Sequence, residues 1–181
     1  PDGTSLVSTF SLPAGRDKLH GMLASPSPHW QLRSRILEFG DLPCLMGIIN
    51  VTPDSFSDGG EFLDPGQAVD QGLRLAEAGA GILDVGGEST RPGSHPVELS
   101  EEIDRVMPVV EKLCGQLEIP VSIDTSKAEV ARQAVALGAE IINDVTGLEG
   151  DLEMLDVARQ SGAGICAMHM QGNPLSMQVD P

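Results

Sequence analysis

Basic residues are scarce in this sequence: 11 lysines and arginines stand against 27 aspartates and glutamates, which gives a formal net charge of −16 over 181 residues. Nucleic acids and anionic membrane surfaces bind basic proteins, so the charge argues against either as a partner. The same charge would repel an anionic substrate at long range unless a divalent cation accompanied it. An acidic surface that aids solubility is the simpler interpretation of the overall figure.

Long apolar runs, paired cysteines and zinc-like histidine spacing are also missing. No stretch of about 18 apolar residues occurs, so we expect no transmembrane helix. The three cysteines, Cys44, Cys114 and Cys166, are widely separated and have apolar neighbours, which predicts reduced core residues in a cytoplasmic protein. The histidines show no metal-ligand spacing, so a zinc site is not expected.

Residues 1–43 differ in character from the rest of the chain. They contain Ser-Pro-Ser-Pro at 25–28 and few periodic apolar positions, which is typical of a linker or extension. Residues 33–40 favour a short strand or hairpin that leads into the domain. We therefore predict an N-terminal extension and hairpin lead-in over 1–43 and one domain over 44–181.

From Leu45 onward a unit repeats, in which a short apolar strand is followed by an amphipathic helix and a Gly-Ala pair. Apolar runs without alternation are typical of parallel strands that are buried on both faces. Glycine in the pairs at 79–80, 138–139 and 162–163 is expected to end each helix in the left-handed conformation. The strands are predicted at 45–49, 82–85, 121–123, 141–142 and 165–168.

Apolar residues at helical spacing predict the helices between these strands. The predicted buried stripes are Val69, Leu73 and Ala76; Ile103, Val106, Met107, Val110 and Leu113; Val130, Ala134 and Leu137; and Leu152, Leu155 and Ala158.

Alternation of strands and helices predicts an α/β fold with parallel strands, which is either a doubly wound sheet or a (β/α)8 TIM barrel. No Gly-x-Gly-x-x-Gly opens the first helix, which lowers the dinucleotide-binding option. Polar residues follow the strands, as they do at the mouth of barrel enzymes. We therefore expect a barrel. Since only five units are present and a barrel has eight, we also expect the barrel to be C-terminally incomplete.

Asn50, Asp84, Asp124 and Asn143 lie at or near the ends of four predicted strands. A barrel mouth would gather these side chains into one pocket. Carboxylates and carboxamides together suit a ligand with a mixed edge of N–H donors and carbonyl acceptors, such as an amino-pyrimidinone. Taken singly, Asp124 and Asn143 are also compatible with ordinary helix capping. Asp84, inside an apolar strand, is costly to bury unless it is paired, which favours a functional or hydrogen-bonded role.

The loops at 53–60 and 86–93 are rich in glycine and in groups that bind anions. The second combines hydroxyls, glycines and Arg91, which suits phosphate. Asn50, with acidic residues nearby, offers hard oxygen ligands suited to Mg2+. A diphosphate held by a metal ion and an arginine would be a good leaving group, because both stabilise the charge that develops on departure.

Two long segments resemble the signatures of the dihydropteroate synthase family: MGIINVTPDSFSDGG at 46–60 and GAGILDVGGESTRPG at 79–93. SIDTSK at 122–127, IIND at 141–144 and MHMQGNP at 168–174 are similar to later family segments, in the same order. The resemblance implies a TIM barrel that condenses 6-hydroxymethyl-7,8-dihydropterin diphosphate with 4-aminobenzoate. The products would be 7,8-dihydropteroate and diphosphate, in folate biosynthesis.

The resemblance also implies roles for the loop residues. Asn50 would bind the Mg2+ that accompanies the diphosphate. Thr90 and Arg91 would lie over the diphosphate and aminobenzoate. Asp58 would stabilise positive charge on the pterin methylene as the C–O bond breaks.

On the same basis, Asp124 and Asn143 would hold the pterin edge, and Asp84 would lie beneath the pterin. The family's Gly-rich Asp-Pro-Gly, Ser-Arg-Lys and Arg-x-His segments follow MHMQGNP in the family order and do not occur in these 181 residues; the Asp-Pro-Gly at 64–66 lies between the two signatures and is not that segment. We therefore expect the chain alone to be inactive and the full-length protein to be a homodimer.

Two other functions are compatible with a pterin-binding barrel. One is methyl transfer from methyltetrahydrofolate to a corrinoid protein, against which the loops at 53–60 and 89–93 argue because a methyl donor has no diphosphate. The other is a non-catalytic domain derived from a barrel.

Overall fold

The computed structural model of the protein describes residues 28–52, 65–89 and 96–168. Within these ranges it contains seven strands and four helices. The strands are β1 (His29–Gln31), β2 (Ile36–Glu38), β3 (Met46–Asn50), β4 (Ile82–Gly86), β5 (Val121–Asp124), β6 (Ile141–Asp144) and β7 (Gly164–Ala167). The helices are α1 (Pro65–Glu77), α2 (Leu99–Gln116), α3 (Ala128–Ala136) and α4 (Met154–Ser161).

Strands β3 to β7 form one parallel sheet, in which each strand pairs with the next along the chain. A doubly wound sheet reverses its strand order at a switch point, whereas a barrel adds strands in sequence. The uninterrupted order is therefore that of a barrel. The prediction of an α/β fold comprising five β/α units of a TIM barrel is confirmed.

The outer face of this sheet packs against the helices and forms the main core. Ile49, Leu83 and Ile123 are fully buried there, together with Val110 and Leu113 of α2. Helix α1 packs closely against α2 because residue 72 is a glycine: an added Cβ at Gly72 would lie 2.7 Å from Leu113 Cδ2. β4 is buried at all five positions, and β5 and β6 are buried or half-buried throughout, so the unbroken apolar runs there reflect strands buried on both faces.

The glycines after three helices adopt the predicted left-handed conformation. The φ angle is 101° at Gly79, 117° at Gly138 and 68° at Gly162. The five strands lie within two residues of the predicted positions. No described helix is long and apolar enough to cross a membrane.

The predicted apolar stripe of the last helix is wrong at two of its three positions, Leu152 and Leu155, and confirmed at Ala158. Leu152 is 94% exposed and Leu155 62% exposed, while Met154, Val157 and Ala158 face the core. The helix begins only at Met154, so Leu152 belongs to the preceding loop and shifts the apparent stripe by one position.

Core positions for the cysteines were also predicted wrongly. Cys44 and Cys166 are exposed and Cys114 is half-buried; all three are free thiols. Cys44 precedes β3, and Cys166 lies on β7, which has no neighbour beyond it in the described sheet. Cys114 is the most buried of the three, and burial raises its pKa to about 11; burial also raises the pKa of Cys166.

The predicted hairpin is present, because β1 and β2 pair antiparallel. The turn residue Leu32 is 1% exposed and packs with Ile82 and Ile141, at the N-terminal ends of β4 and β6. The hairpin therefore covers the end of the sheet opposite the strand carboxyl ends. The domain boundary at 43/44 stays a prediction.

A buried carboxylate fastens this hairpin to the sheet. Glu140, whose side chain is 5% exposed, accepts hydrogen bonds from the backbone amide of Ser34 (2.8 Å), the Ser34 hydroxyl and Arg35 Nε (3.4 Å). Arg35 also donates to the carbonyl of Glu118. Burial by itself would raise the pKa of Glu140, but Ser34 and Arg35 hold it below its usual value.

We expect Glu140→Gln to lower the free energy of unfolding by about 1–3 kcal/mol, because a buried set of donors loses its charged acceptor. A depressed carboxyl pKa stabilises the fold above the unfolded pKa. That contribution is lost as pH falls through the folded value, so the difference should shrink below about pH 4. Urea unfolding of the protein expressed from its complete gene measures it.

Glu118→Gln is the matched control, because only the backbone carbonyl of Glu118 accepts from Arg35. It should leave stability within about 0.5 kcal/mol of the wild type. Equal effects of the two substitutions would contradict the role assigned to Glu140.

Candidate functional site

The parallel register brings five residues into one row at the carboxyl ends of the strands. Side chains two residues apart on a strand share a face, so Asp84 lies on the same face as Gly86, one layer below the row. The residues of the row, in sheet order, are Asn50, Gly86, Asp124, Asn143 and Cys166. The sheet therefore gathers the four described candidate residues, Asn50, Asp84, Asp124 and Asn143, on its inner face.

Gly86 gives Asp124 the room it needs within this row. A Cβ at Gly86 would lie 3.3 Å from both Cβ and Oδ2 of Asp124. A larger residue there would press on the carboxylate, so glycine at this strand end maintains the space around Asp124.

Asp84 is buried beneath the row, with 2% exposure, and orients Asn143. Its Oδ2 accepts a hydrogen bond from Asn143 Nδ2 at 2.9 Å. That bond leaves the Asn143 carbonyl oxygen to accept from a ligand. Asp84 Oδ1 has no hydrogen-bond partner within the described residues, nor does the hydroxyl of Ser122, its register neighbour. Ser122 lies close enough to lower the pKa of Asp84, so Asp84 Oδ1 is open to this hydroxyl or to a bound N–H donor.

The pKa values of two carboxyl groups in the site, those of Asp84 and Asp124, are raised above the usual value for aspartate. Burial raises the pKa of Asp84, and the neighbouring Ser122 and Asn143 side chains partly oppose that rise. The pKa of Asp124 is raised to about 7, first by burial and then by the charges of Asp84, Glu102, Asp144 and Glu88. The site therefore concentrates acceptors for N–H groups, and a ligand donating N–H would relieve the crowding of negative charge.

Asp144 ends β6 but does not belong to the row, and it shapes the loop that follows. Its Oδ1 accepts from the amide and hydroxyl of Thr146, both at 2.7 Å, and its Oδ2 from the amide of Leu148 at 3.2 Å. Leu148 has a φ of 69°, a strained value for leucine. Asp144 is thus a structural partner of this loop.

Sequence reasoning missed an ionic cluster behind the row, formed by Glu88, Glu102 and Lys127. Lys127 directly precedes α3; its side chain is 24% exposed and contacts both carboxylates. Glu102 is fully buried. The sequence did contain a signal for the burial of Glu102: positions 102, 106, 109 and 113 form one helical stripe, and its other three members are buried and apolar.

Three predicted site residues, Asp58, Thr90 and Arg91, lie outside the described residues, and their roles stay predictions. The described ranges contain no group of three or more His, Cys, Asp or Glu that could hold a metal ion. Asn50, which is exposed, supplies one oxygen donor at the edge of the row. That is enough only for a cation that obtains its other ligands from a substrate and water.

Comparisons with known proteins agree with this geometry. Residues 46–181 match the sequence profile of the family described as "Pterin binding enzyme". The dihydropteroate synthase of Synechocystis sp. is 46% identical over 162 residues, which cover 90% of this chain and 55% of that protein. The Escherichia coli K12 dihydropteroate synthase is 50% identical over 139 residues, 77% of this chain and 49% of that protein. The chain thus spans about half the length of these curated relatives.

Solved structures give the same result. Xanthomonas albilineans dihydropteroate synthase with 4-aminobenzoic acid has a TM-score of 0.74 and 51% identity, covering 81% of this chain and 53% of that one. Burkholderia cenocepacia dihydropteroate synthase complexed with 7,8-dihydropteroate has a TM-score of 0.70 and 42% identity, covering 82% and 49%.

The raised pKa of Asp124 predicts a pH-dependent stability. Between the unfolded pKa near 4 and the folded value of about 7, the folded state holds more protons, so stability falls as pH rises through this window. We expect Asp124→Asn, which stays neutral, to be more stable than the wild type by roughly 2 kcal/mol at pH 8 and by much less at pH 5. Urea unfolding across this range, on the protein expressed from its complete gene, measures the difference.

Asp156→Asn is the control, because Asp156 is exposed and pairs with Arg159 on the outer surface. It should show no such trend between pH 5 and pH 8. A constant stability difference between Asp124→Asn and the wild type would contradict the raised pKa.

Proposed function

The chain belongs to the pterin-binding enzyme family, and on that basis we propose that the protein is a dihydropteroate synthase. The reaction joins 6-hydroxymethyl-7,8-dihydropterin diphosphate to 4-aminobenzoate and releases diphosphate. The observation that carries the proposal is the acceptor set of Asp84, Asp124 and Asn143 on the inner face of the sheet, in which Asp84 orients Asn143. The similarity to enzymes solved with 4-aminobenzoic acid and with 7,8-dihydropteroate supports it.

The pterin edge fits the hydrogen-bonding capacity of these residues. In its ionised form Asp124 accepts from the adjacent ring and exocyclic N–H groups of an amino-pyrimidinone. Asn143, oriented by Asp84, offers its oxygen as an acceptor and its second amide hydrogen as a donor. Asp84 lies beneath the ring and stabilises the Asn143 orientation.

The diphosphate side of the site comes from the other predicted residues. Asn50 would hold Mg2+ together with oxygens of the diphosphate and water, and the bound ion would neutralise part of the charge on the leaving group. Thr90 and Arg91 would bind the diphosphate and aminobenzoate. Arg91 thereby supplies positive charge that the acidic described part of the site lacks.

The chemical step breaks the C–O bond between the pterin methylene and the diphosphate, whose oxygen keeps the electron pair. The amine nitrogen of 4-aminobenzoate forms the new C–N bond and then loses a proton. Asp58 would stabilise the positive charge that develops on the methylene. Asp124 and Asn143 hold the ring so that the methylene faces the incoming amine, which makes the encounter effectively intramolecular.

The five β/α units supply only part of such a site, because a barrel mouth draws on the ends of eight strands. We therefore propose that residues 1–181 expressed alone are inactive. The homodimer and the cytoplasmic location stay predictions from the resemblance and from the sequence.

The direct test is the formation of 7,8-dihydropteroate and diphosphate from the two substrates by the protein expressed from its complete gene, in the presence of Mg2+. We expect Asn143→Leu to raise KM for the pterin diphosphate about 10- to 100-fold, since it removes two hydrogen-bonding groups from the pterin edge. Gln160→Leu, a similar change at an exposed position of α4, should have no effect.

Two outcomes would contradict the proposal. Absence of diphosphate release by a folded protein that binds the pterin would favour methyl transfer. Absence of pterin binding by a folded protein would favour a non-catalytic domain.

A further inference from the structure

We infer that Glu102, Lys127 and Glu88, here called the mouth triad, are positioning residues that hold the segment after β4 against the segment after β5. The inference rests on the proposed function, because its expected consequence is correct binding of the pterin diphosphate. None of the three needs to contact the substrate for this role.

The triad joins three elements through one buried carboxylate. Glu102 of α2 is 0% exposed; its Oε1 accepts from the Thr125 hydroxyl at 2.7 Å, and its Oε2 accepts from Lys127 Nζ. The same Nζ also donates to Glu88 Oε2. Thr125 follows β5 and Glu88 lies two residues after β4, so α2 is linked to both strand ends.

A second contact holds the backbone next to Glu88. Arg105, which is 8% exposed, donates through Nη1 to the carbonyl of Gly87 at 2.8 Å. A Cβ at Gly87 would lie 2.7 Å from Val106 Cγ1 and 3.0 Å from Glu102 Cγ. The chain after β4 therefore lies directly on α2: Gly87 is bonded to Arg105 of this helix, and Glu88 is linked to it through Lys127.

The position of the triad relative to the site gives it a function beyond stability. Gly86 and Asp124 are register partners in the row, and the triad fastens the residues that follow each of them. Thr125 also donates its amide to the carbonyl of Asn143 at 3.0 Å. Displacement of the segment after β5 would therefore move both residues of the proposed pterin edge, Asp124 and Asn143.

A purely structural role would not require these charges. An apolar group of similar size usually stabilises a core at least as well as a buried ion pair, because desolvation offsets the attraction between the charges. A buried ion pair instead enforces one geometry, since Glu102 is costly to bury unless Lys127 is in place. From Glu88 the chain continues directly to Thr90 and Arg91, so the geometry set at Glu88 is the starting point for the proposed diphosphate loop.

The principal test is Glu88→Gln in the protein expressed from its complete gene. Because Glu102 keeps its bond to Lys127, the unfolding midpoint should stay within about 2 °C of the wild type. We expect KM for the pterin diphosphate to rise about 5- to 20-fold, while kcat and the affinity for a pterin without diphosphate change less than about twofold. Charge alone predicts the opposite sign, because removing a carboxylate would strengthen binding of an anion.

Lys127 provides a second set of variants. Lys127→Met should lower the unfolding midpoint by about 6 to 12 °C, because Glu102 is then buried without its cation. The double variant Lys127→Met/Glu102→Gln should recover most of that loss but keep the raised KM. Lys127→Arg, which retains the cation, should restore KM to within about threefold of the wild type. A double variant with wild-type KM would overturn the inference.

Glu129→Gln is the matched control, since it makes the same charge change in an exposed pair with Arg132. It should leave KM unchanged. Unchanged KM in Glu88→Gln, with active wild-type enzyme, would overturn the inference and leave the proposed function intact.

If the wild type releases no diphosphate, hydrogen exchange still tests whether the mouth triad holds the segment after β4. Amides of residues 86–89 should then exchange about tenfold faster in Glu88→Gln, with residues 128–136 unchanged. That result would support the holding role while the proposed function fails. Equal exchange in both proteins would overturn the inference as well.

Discussion

The parallel register of β3 to β7 is the constraint on which the site depends. It aligns Asn50, Gly86, Asp124, Asn143 and Cys166 in one row, although 116 positions separate the first from the last. A slip of one residue in a strand would turn its polar side chain toward the helices and an apolar one toward the mouth. The register is secured because Ile49, Leu83 and Ile123 must lie on the helix side. The apolar core and the polar row are therefore two consequences of the same pairing.

This arrangement places several carboxylates close together, and the molecule manages that charge in distinct ways. Asp84 is buried with one oxygen bonded to Asn143, Asp144 bonds the loop after β6, and Glu102 is paired with Lys127. Among the described residues no such partner compensates Asp124, and burial and the neighbouring carboxylates raise its pKa to about 7. Asp124, the carboxyl group whose charged form is least stabilised, thus lies in the row, where an N–H donor from a ligand would stabilise that charged form.

The sequence was sufficient for features that depend on local pattern. Unbroken apolar runs predicted the five strands, and Gly79, Gly138 and Gly162 predicted the helix ends, because left-handed backbone favours glycine. Features that depend on distant contacts were missed. Exposure of Cys166 follows from its place on the last described strand, and burial of Lys127 follows from a pairing with Glu102, 25 positions away. Neither the exposure of Cys166 nor the pairing of Lys127 can be inferred from the residues next to them in the sequence.

The charge balance at the mouth bears on how an acidic protein would bind an anionic substrate. The ammonium of Lys127 is already shared by two carboxylates, so it adds no net positive charge for a ligand. The positive charge of Arg105 is likewise paired with Glu101. A diphosphate would therefore depend on cations from elsewhere, namely Arg91 and a metal ion bound with Asn50. In the proposed function, the described part of the site would bind the neutral, N–H-rich part of the substrate. In that proposal the charge of the diphosphate would be compensated from the ends of the first two strands of the sheet, by the metal ion at Asn50 and by Arg91.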